Sequence, residues 1–188
     1  MKTIQRLGAT IVFLSLVLAA CGGGGGDGGG GANNAPPPSN VPRYAFVANS
    51  NDNSVSTYVV DAATGRLKWI GRVAAGTDPV SAAVDPSGRY AYVANRGDNN
   101  VSQYTIGANG ALTEIATAVA AGSSPRSVTV DPSGRYAYVA NWGDNNVSQY
   151  TIGNDGRLAA MVPVTVTAGS GPQSVTVDPS GRYAYVAN

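Results

Sequence analysis

A seven-residue segment, Arg-Tyr-Ala-Tyr-Val-Ala-Asn, begins at Arg89, Arg135 and Arg182, and a near copy with Phe46 for the second tyrosine begins at Arg43. The starts lie 46, 46 and 47 residues apart. That period is too long for one hairpin and suits one small sheet, so the chain is expected to stack like units that cannot bury their apolar faces alone. Within one period, residues 127–130 alternate apolar with polar, and Asp131, Pro132, Ser133 and Gly134 supply a type I turn with Pro second and Gly last. A strand over 136–140, a polar loop over 142–146, a strand over 147–152, a turn at Asn154, Asp155 and Gly156 and a strand over 158–167 complete the unit. Four antiparallel strands make a propeller blade, so the fold class is all-β, a β-propeller of four-stranded blades. With strands lettered A to D, the chain opens on B, C and D, passes through two whole blades and closes on A and B. About three blades are present, where propellers close with about four to eight. The expectation is therefore a fragment of a larger propeller.

The chain before the repeats has a different character. Lys2 and Arg6 precede an apolar run over 11–18, the layout of a cleavable signal peptide. It ends in Leu18, Ala19, Ala20 and Cys21, which resembles the lipobox of bacterial lipoproteins, where cleavage exposes the cysteine for lipidation. Cys21 is the single cysteine, which excludes an intrachain disulfide and leaves a lipid anchor as its use. The stretch that follows is almost all glycine from 22 to 31 and carries Pro36, Pro37 and Pro38, so it reads as a tether, flexible and then stiffer. The expected organisation is a signal peptide over 1–20, the lipidated cysteine and tether over 21–40, and propeller repeats over 41–188. The residue after Cys21 is not aspartate, which points to an outer-membrane lipoprotein of the bacterial cell envelope, facing the periplasm or the cell surface.

Composition narrows the chemistry. There is no histidine, Glu114 is the one glutamate, and charged residues make up 12% of the chain, so general bases are scarce. A net charge of +1 with scattered basic residues gives no footprint for nucleic acid. The loops over 49–53, 95–99 and 141–145 offer one carboxylate each, Asp52, Asp98 or Asp144, too few for calcium, and are read as turns capped by their own Asn and Asp side chains. No metal or other cofactor is expected. The tyrosines of the repeat are read as packing between blades.

Tyr92-Val93-Ala94-Asn95, Tyr138-Val139-Ala140-Asn141 and Tyr185-Val186-Ala187-Asn188 resemble the Tyr-Val-Thr-Asn repeat of lactonase-like seven-bladed β-propellers, the 6-phosphogluconolactonase type. The segment over 128–135 resembles the same family's consensus. Alanine replaces threonine in every copy, and the blades are more alike than the enzymes of that family show. The resemblance implies a seven-bladed propeller and, where the protein is an enzyme, a lactonase. Blade homogeneity and the scarcity of general bases favour a lipid-anchored scaffold binding a sugar, lactone, glycan or envelope protein. Sugar-lactone hydrolysis is the alternative, and a structural or adhesive surface role a second one.

The positions at which near-identical blades differ are the informative ones. Ser50, Arg96 and Trp142 are equivalent, as are Asp78, Ser124 and Gly171, and as are Val80, Arg126 and Gln173. Strand directions place all nine at the end that carries the D-to-A and B-to-C connections. Loops on a rigid scaffold are where binding residues sit. Arg96, Trp142, Asp78, Arg126 and Gln173 are thus the candidate ligand contacts, with Asp78 as a base and Arg96 or Arg126 as an oxyanion partner in the lactonase alternative.

Overall fold

A computed structural model describes residues 43–188, and the signal peptide, Cys21 and tether expected from the sequence lie outside the described residues. Among the described residues, thirteen strands form four antiparallel sheets. The first sheet holds β1 (Arg43–Asn49), β2 (Ser54–Val60) and β3 (Leu67–Ala74). The second holds β4 (Pro79–Val84), β5 (Tyr90–Asn95), β6 (Asn100–Ile106) and β7 (Leu112–Ala120). The third holds β8 (Pro125–Val130), β9 (Tyr136–Asn141), β10 (Asn146–Ile152) and β11 (Leu158–Thr167), and the last pairs β12 (Ser174–Val177) with β13 (Ala184–Ala187). These are the blades that the period predicts. The helical content of the described residues is one 3-10 turn at Ser50–Asp52, within a loop of the first sheet.

The repeated segment has its particular alternation because its strand is buried on both faces. Successive side chains of a strand point to opposite faces. In β5, Tyr92 and Ala94 pack with Val128, Ala137, Val139 and Tyr150 of the third sheet. Ala91 and Val93 pack with Phe46 and Val55 of the first. The alanines keep the sheets close, and the larger residues fill the space between.

The tyrosines also tie neighbouring sheets by their hydroxyls. Tyr90 Oη donates to Asn154 O at 3.0 Å and Tyr92 Oη to Gly156 O at 2.7 Å, both in the β10–β11 turn of the next sheet. Tyr104 Oη and Tyr150 Oη reach back to Ala74 O and Ala120 O of the preceding sheet, at 2.9 and 2.7 Å. Burial pushes all three hydroxyls of Tyr92, Tyr104 and Tyr150 above the ordinary phenol value, so they remain donors. Ser81 and Ser127 on the first strands of their sheets add contacts, accepting the N–H of Val128 and Val175.

The 47-residue period is absorbed on an outer strand. Register between β10 and β11 jumps from Ser148↔Thr165 to Tyr150↔Ala160, and Gln149 Nε2 bridges the gap to Pro163 O at 3.1 Å. The loops at both ends of the blade keep their length. The crossover end holds the connections between sheets together with the β1–β2, β5–β6 and β9–β10 loops. The hairpin end holds the remaining turns. There the carboxylate of Asp131 accepts from Ser133 N (3.0 Å), Ser133 Oγ (2.5 Å), Arg135 N (2.9 Å) and Tyr136 N (2.8 Å). Asp85 and Asp178 repeat this arrangement.

Candidate functional site

The crossover end is built on a clamp made from the repeat itself. Asn53, Asn99 and Asn145 adopt the left-handed conformation, with φ of 48, 54 and 54°, which asparagine tolerates better than most residues. Their Oδ1 atoms accept the N–H of Asp78 (2.8 Å), Ser124 (2.8 Å) and Gly171 (2.7 Å) on the connection to the next sheet. From the other side, Asp98 Oδ2 accepts Thr77 N and Asp144 Oδ2 accepts Ser123 N, each at 2.7 Å. Hydrogen bonds from Thr77 hold the Asp98 carboxyl below its ordinary value. The sequence suggested that these Asn and Asp side chains cap their own turns, whereas they cross to neighbouring connections. Sequence proximity could not show it, because the partners lie 21 to 26 residues away.

On this frame the variable residues meet in pairs. Arg96 Nε donates to Asp78 Oδ2 at 2.5 Å, and the backbone N–H of Arg96 donates to Asp78 O at 2.9 Å. The Asp78 carboxylate, the sequence's candidate base, is thus engaged by a cation. In the next sheet the Arg126 guanidinium carbon lies 5.2 Å from the centroid of the Trp142 ring, a cation–π distance. Trp142 remains 44% exposed. Among the described residues Arg126 forms no salt bridge, and its Nε is buried without a hydrogen-bond partner. Ser50, equivalent to Arg96 and Trp142, only donates its hydroxyl to Pro79 O at 2.8 Å. Gln173 is exposed, its N–H donates to Ala187 O, and it precedes β12 rather than beginning it.

Gly171 is a member of the site that its variability alone did not mark out. A Cβ there would lie 2.9 Å from Trp142 Nε1, and its φ is +64°. Glycine leaves room for the indole at the edge of the last sheet. The site thus contains one cation already neutralised by a carboxylate, Arg96, and one balanced only by an aromatic face, Arg126. An aromatic platform beside an uncommitted guanidinium suits a ring-shaped ligand that carries an acidic or carbonyl oxygen.

The family model described as "Lactonase, 7-bladed beta-propeller" matches residues 40–162 and 127–188. No curated protein matches the chain. Among solved structures, the periplasmic gluconolactonase of Pseudomonas aeruginosa is similar at 25% identity and a TM-score of 0.66, over 77% of this chain and 47% of that one. Hydrazine synthase of Kuenenia stuttgartiensis is similar at 25% identity and a TM-score of 0.63, over 84% of this chain and 45% of that one. A candidate 6-phosphogluconolactonase of Bacteroides fragilis shares the fold at 22% identity and a TM-score of 0.64, over 77% of this chain and 39% of that one. The chain spans less than half the length of each of these three. The repeat period, the four-stranded sheets and the family match over most of the chain agree, and the chain belongs to the lactonase family of seven-bladed β-propellers.

Proposed function

We propose that this chain contributes to a cell-envelope propeller that binds a sugar lactone or sugar acid at its crossover end. The observation that carries the proposal is the half-exposed Trp142 ring stacked under the uncommitted Arg126 guanidinium. The indole offers a face to a sugar ring, and the guanidinium offers donors to a carboxylate or lactone oxygen. Hydrolysis of the lactone is the second reading, favoured by the family and by the likeness to a periplasmic gluconolactonase. Lactone opening needs a base or an activated water beside the bound ring, and Asp78 would have to leave Arg96 to serve.

The test is calorimetric titration of the full chain with glucono-lactone and gluconate, with base uptake followed in parallel for hydrolysis. Trp142→Ala and Arg126→Ala are each expected to weaken binding about tenfold, the loss of one stacking or charge-assisted contact. Ser133→Ala, at the opposite end, is expected to leave binding unchanged. Equal affinity in all four proteins would overturn the placement of the site.

The envelope address is proposed on the sequence around Cys21. Processing is expected to leave a mature protein whose first residue is a lipidated cysteine, in the outer membrane and facing the periplasm or the cell surface. Mass spectrometry of the mature N-terminus reads this directly. An unmodified Cys21 on a soluble protein would refute the anchor without touching the binding site.

A further inference from the structure

We propose that the hairpin end is a docking face for an anionic lipid surface, with Arg89, Arg135 and Arg182 as its contact residues. Each occupies the same place in its blade, and each is exposed. Their guanidinium carbons lie 5.2, 5.3 and 5.7 Å from the centroids of the adjoining Tyr90, Tyr136 and Tyr183 rings. Arg89 Nε and Arg135 Nε also donate to Ser87 Oγ and Ser133 Oγ, at 3.1 and 3.2 Å. Two contacts fix each of these two stems, so their charges are held in place at the exposed surface. None of the three forms a salt bridge among the described residues.

Charge depth makes this end basic at its surface. Asp85 and Asp131 lie buried beneath Arg89 and Arg135, their oxygens filled by amide and hydroxyl donors, whereas Asp178 beside Arg182 is half-buried. The exposed charges at the hairpin end are Arg66, Lys68, Arg89, Arg135, Arg157 and Arg182 against Asp61, Glu114 and Asp155. At the crossover end the balance reverses, with Arg72 and Arg96 exposed against Asp52, Asp98 and Asp144. Tyrosine beside arginine also suits the headgroup region, where amphipathic rings settle.

The chain enters β1 at Arg43, and that strand begins at the hairpin end. A tether from a lipid at Cys21 would therefore hold this end toward the bilayer and turn Trp142 away from it. Orientation rests in part on the anchor proposed above, whereas the affinity of the rim for lipid does not.

The test uses the full chain carrying Cys21→Ser, which cannot be lipidated, in co-sedimentation with vesicles. One set contains phosphatidylglycerol and phosphatidylethanolamine, the other only phosphatidylcholine. The segment over 1–18, with Lys2, Arg6 and its apolar run, is common to every protein compared, so the decisive comparison is parent against variant on the same vesicles. Binding to the anionic vesicles is expected to be stronger and to weaken with added salt. Replacing all three arginines by glutamine should reduce it about fivefold per charge, on the order of a hundredfold together. Arg72→Gln, at the crossover end, should leave it unchanged. If the triple variant unfolds, Arg89→Gln and Arg135→Gln singly should each show the fivefold loss. Equal binding to both vesicle types, or glutamine variants that bind as the parent does, would overturn the proposal.

Discussion

Alanine in place of Gly156 is expected to destabilise the fold by about 3 to 5 kcal/mol, read as a lower midpoint of thermal unfolding of the full chain. Two costs combine. Gly156 has φ +81°, a left-handed conformation that costs an alanine about 1 to 2 kcal/mol. The new Cβ would also fall 2.2 Å from Tyr90 Cδ1, and that ring is held in place by its hydroxyl bond to Asn154 O. The costs separate by experiment. Gly88 has φ +70° with no neighbouring atom within 4 Å of an added Cβ, so Gly88→Ala should carry the conformational cost alone. Tyr90→Ala introduced beside Gly156→Ala should relieve the clash, making the pair less destabilising than the sum of the single changes. Strict additivity would show that the ring is not the obstacle.

Removing the Asp131 carboxylate has the second largest expected effect. Asp131→Ala leaves four donors of the β8–β9 turn without their acceptor at a buried position. The expected loss is about 3 kcal/mol. Acid should reproduce part of it in the unaltered protein. Burial raises the Asp131 carboxyl, but bonds from Ser133, Tyr136 and Arg135 outweigh it and hold the group below its ordinary value of 3.8. Bonds from Ser180, Tyr183 and Arg182 likewise lower Asp178. A carboxyl with a depressed folded value stabilises fully above the unfolded value and ceases to do so as pH falls through the folded one. Stability should thus hold down to about pH 4 and fall below it. Asp131→Ala should flatten that fall, and an unchanged acid limb would disprove the assignment.

The period and the turn residues made the blades legible in the sequence, because each blade repeats one pattern and each strand alternates its faces. The candidate site was legible only as a set of positions. Arg96 and Trp142 are equivalent, yet Arg96 engages residue 78 and Trp142 engages residue 126, two places beyond the position equivalent to 78 and inside β8. Partner choice follows the chemistry within reach, a carboxylate on the connection in one case and a guanidinium at the start of β8 in the other. The clamp that holds those connections was hidden for another reason. Its asparagines look like ordinary turn residues, and only tertiary contact shows that their amide oxygens serve the neighbouring sheet. The β11 bulge was equally hidden, since an extra residue in a repeat does not say which strand takes it up.

The clamp has a consequence for inheritance. Both of its halves, the left-handed asparagine and the aspartate, are drawn from the same repeated unit and grip the connections on either side. A gene that gained or lost one unit by unequal recombination would present every new junction with its partners already in place. Blade number can then change in a single genetic event, while the side chains that face a ligand diverge one substitution at a time. Selection on architecture and selection on recognition act on separate letters of the same 46-residue word.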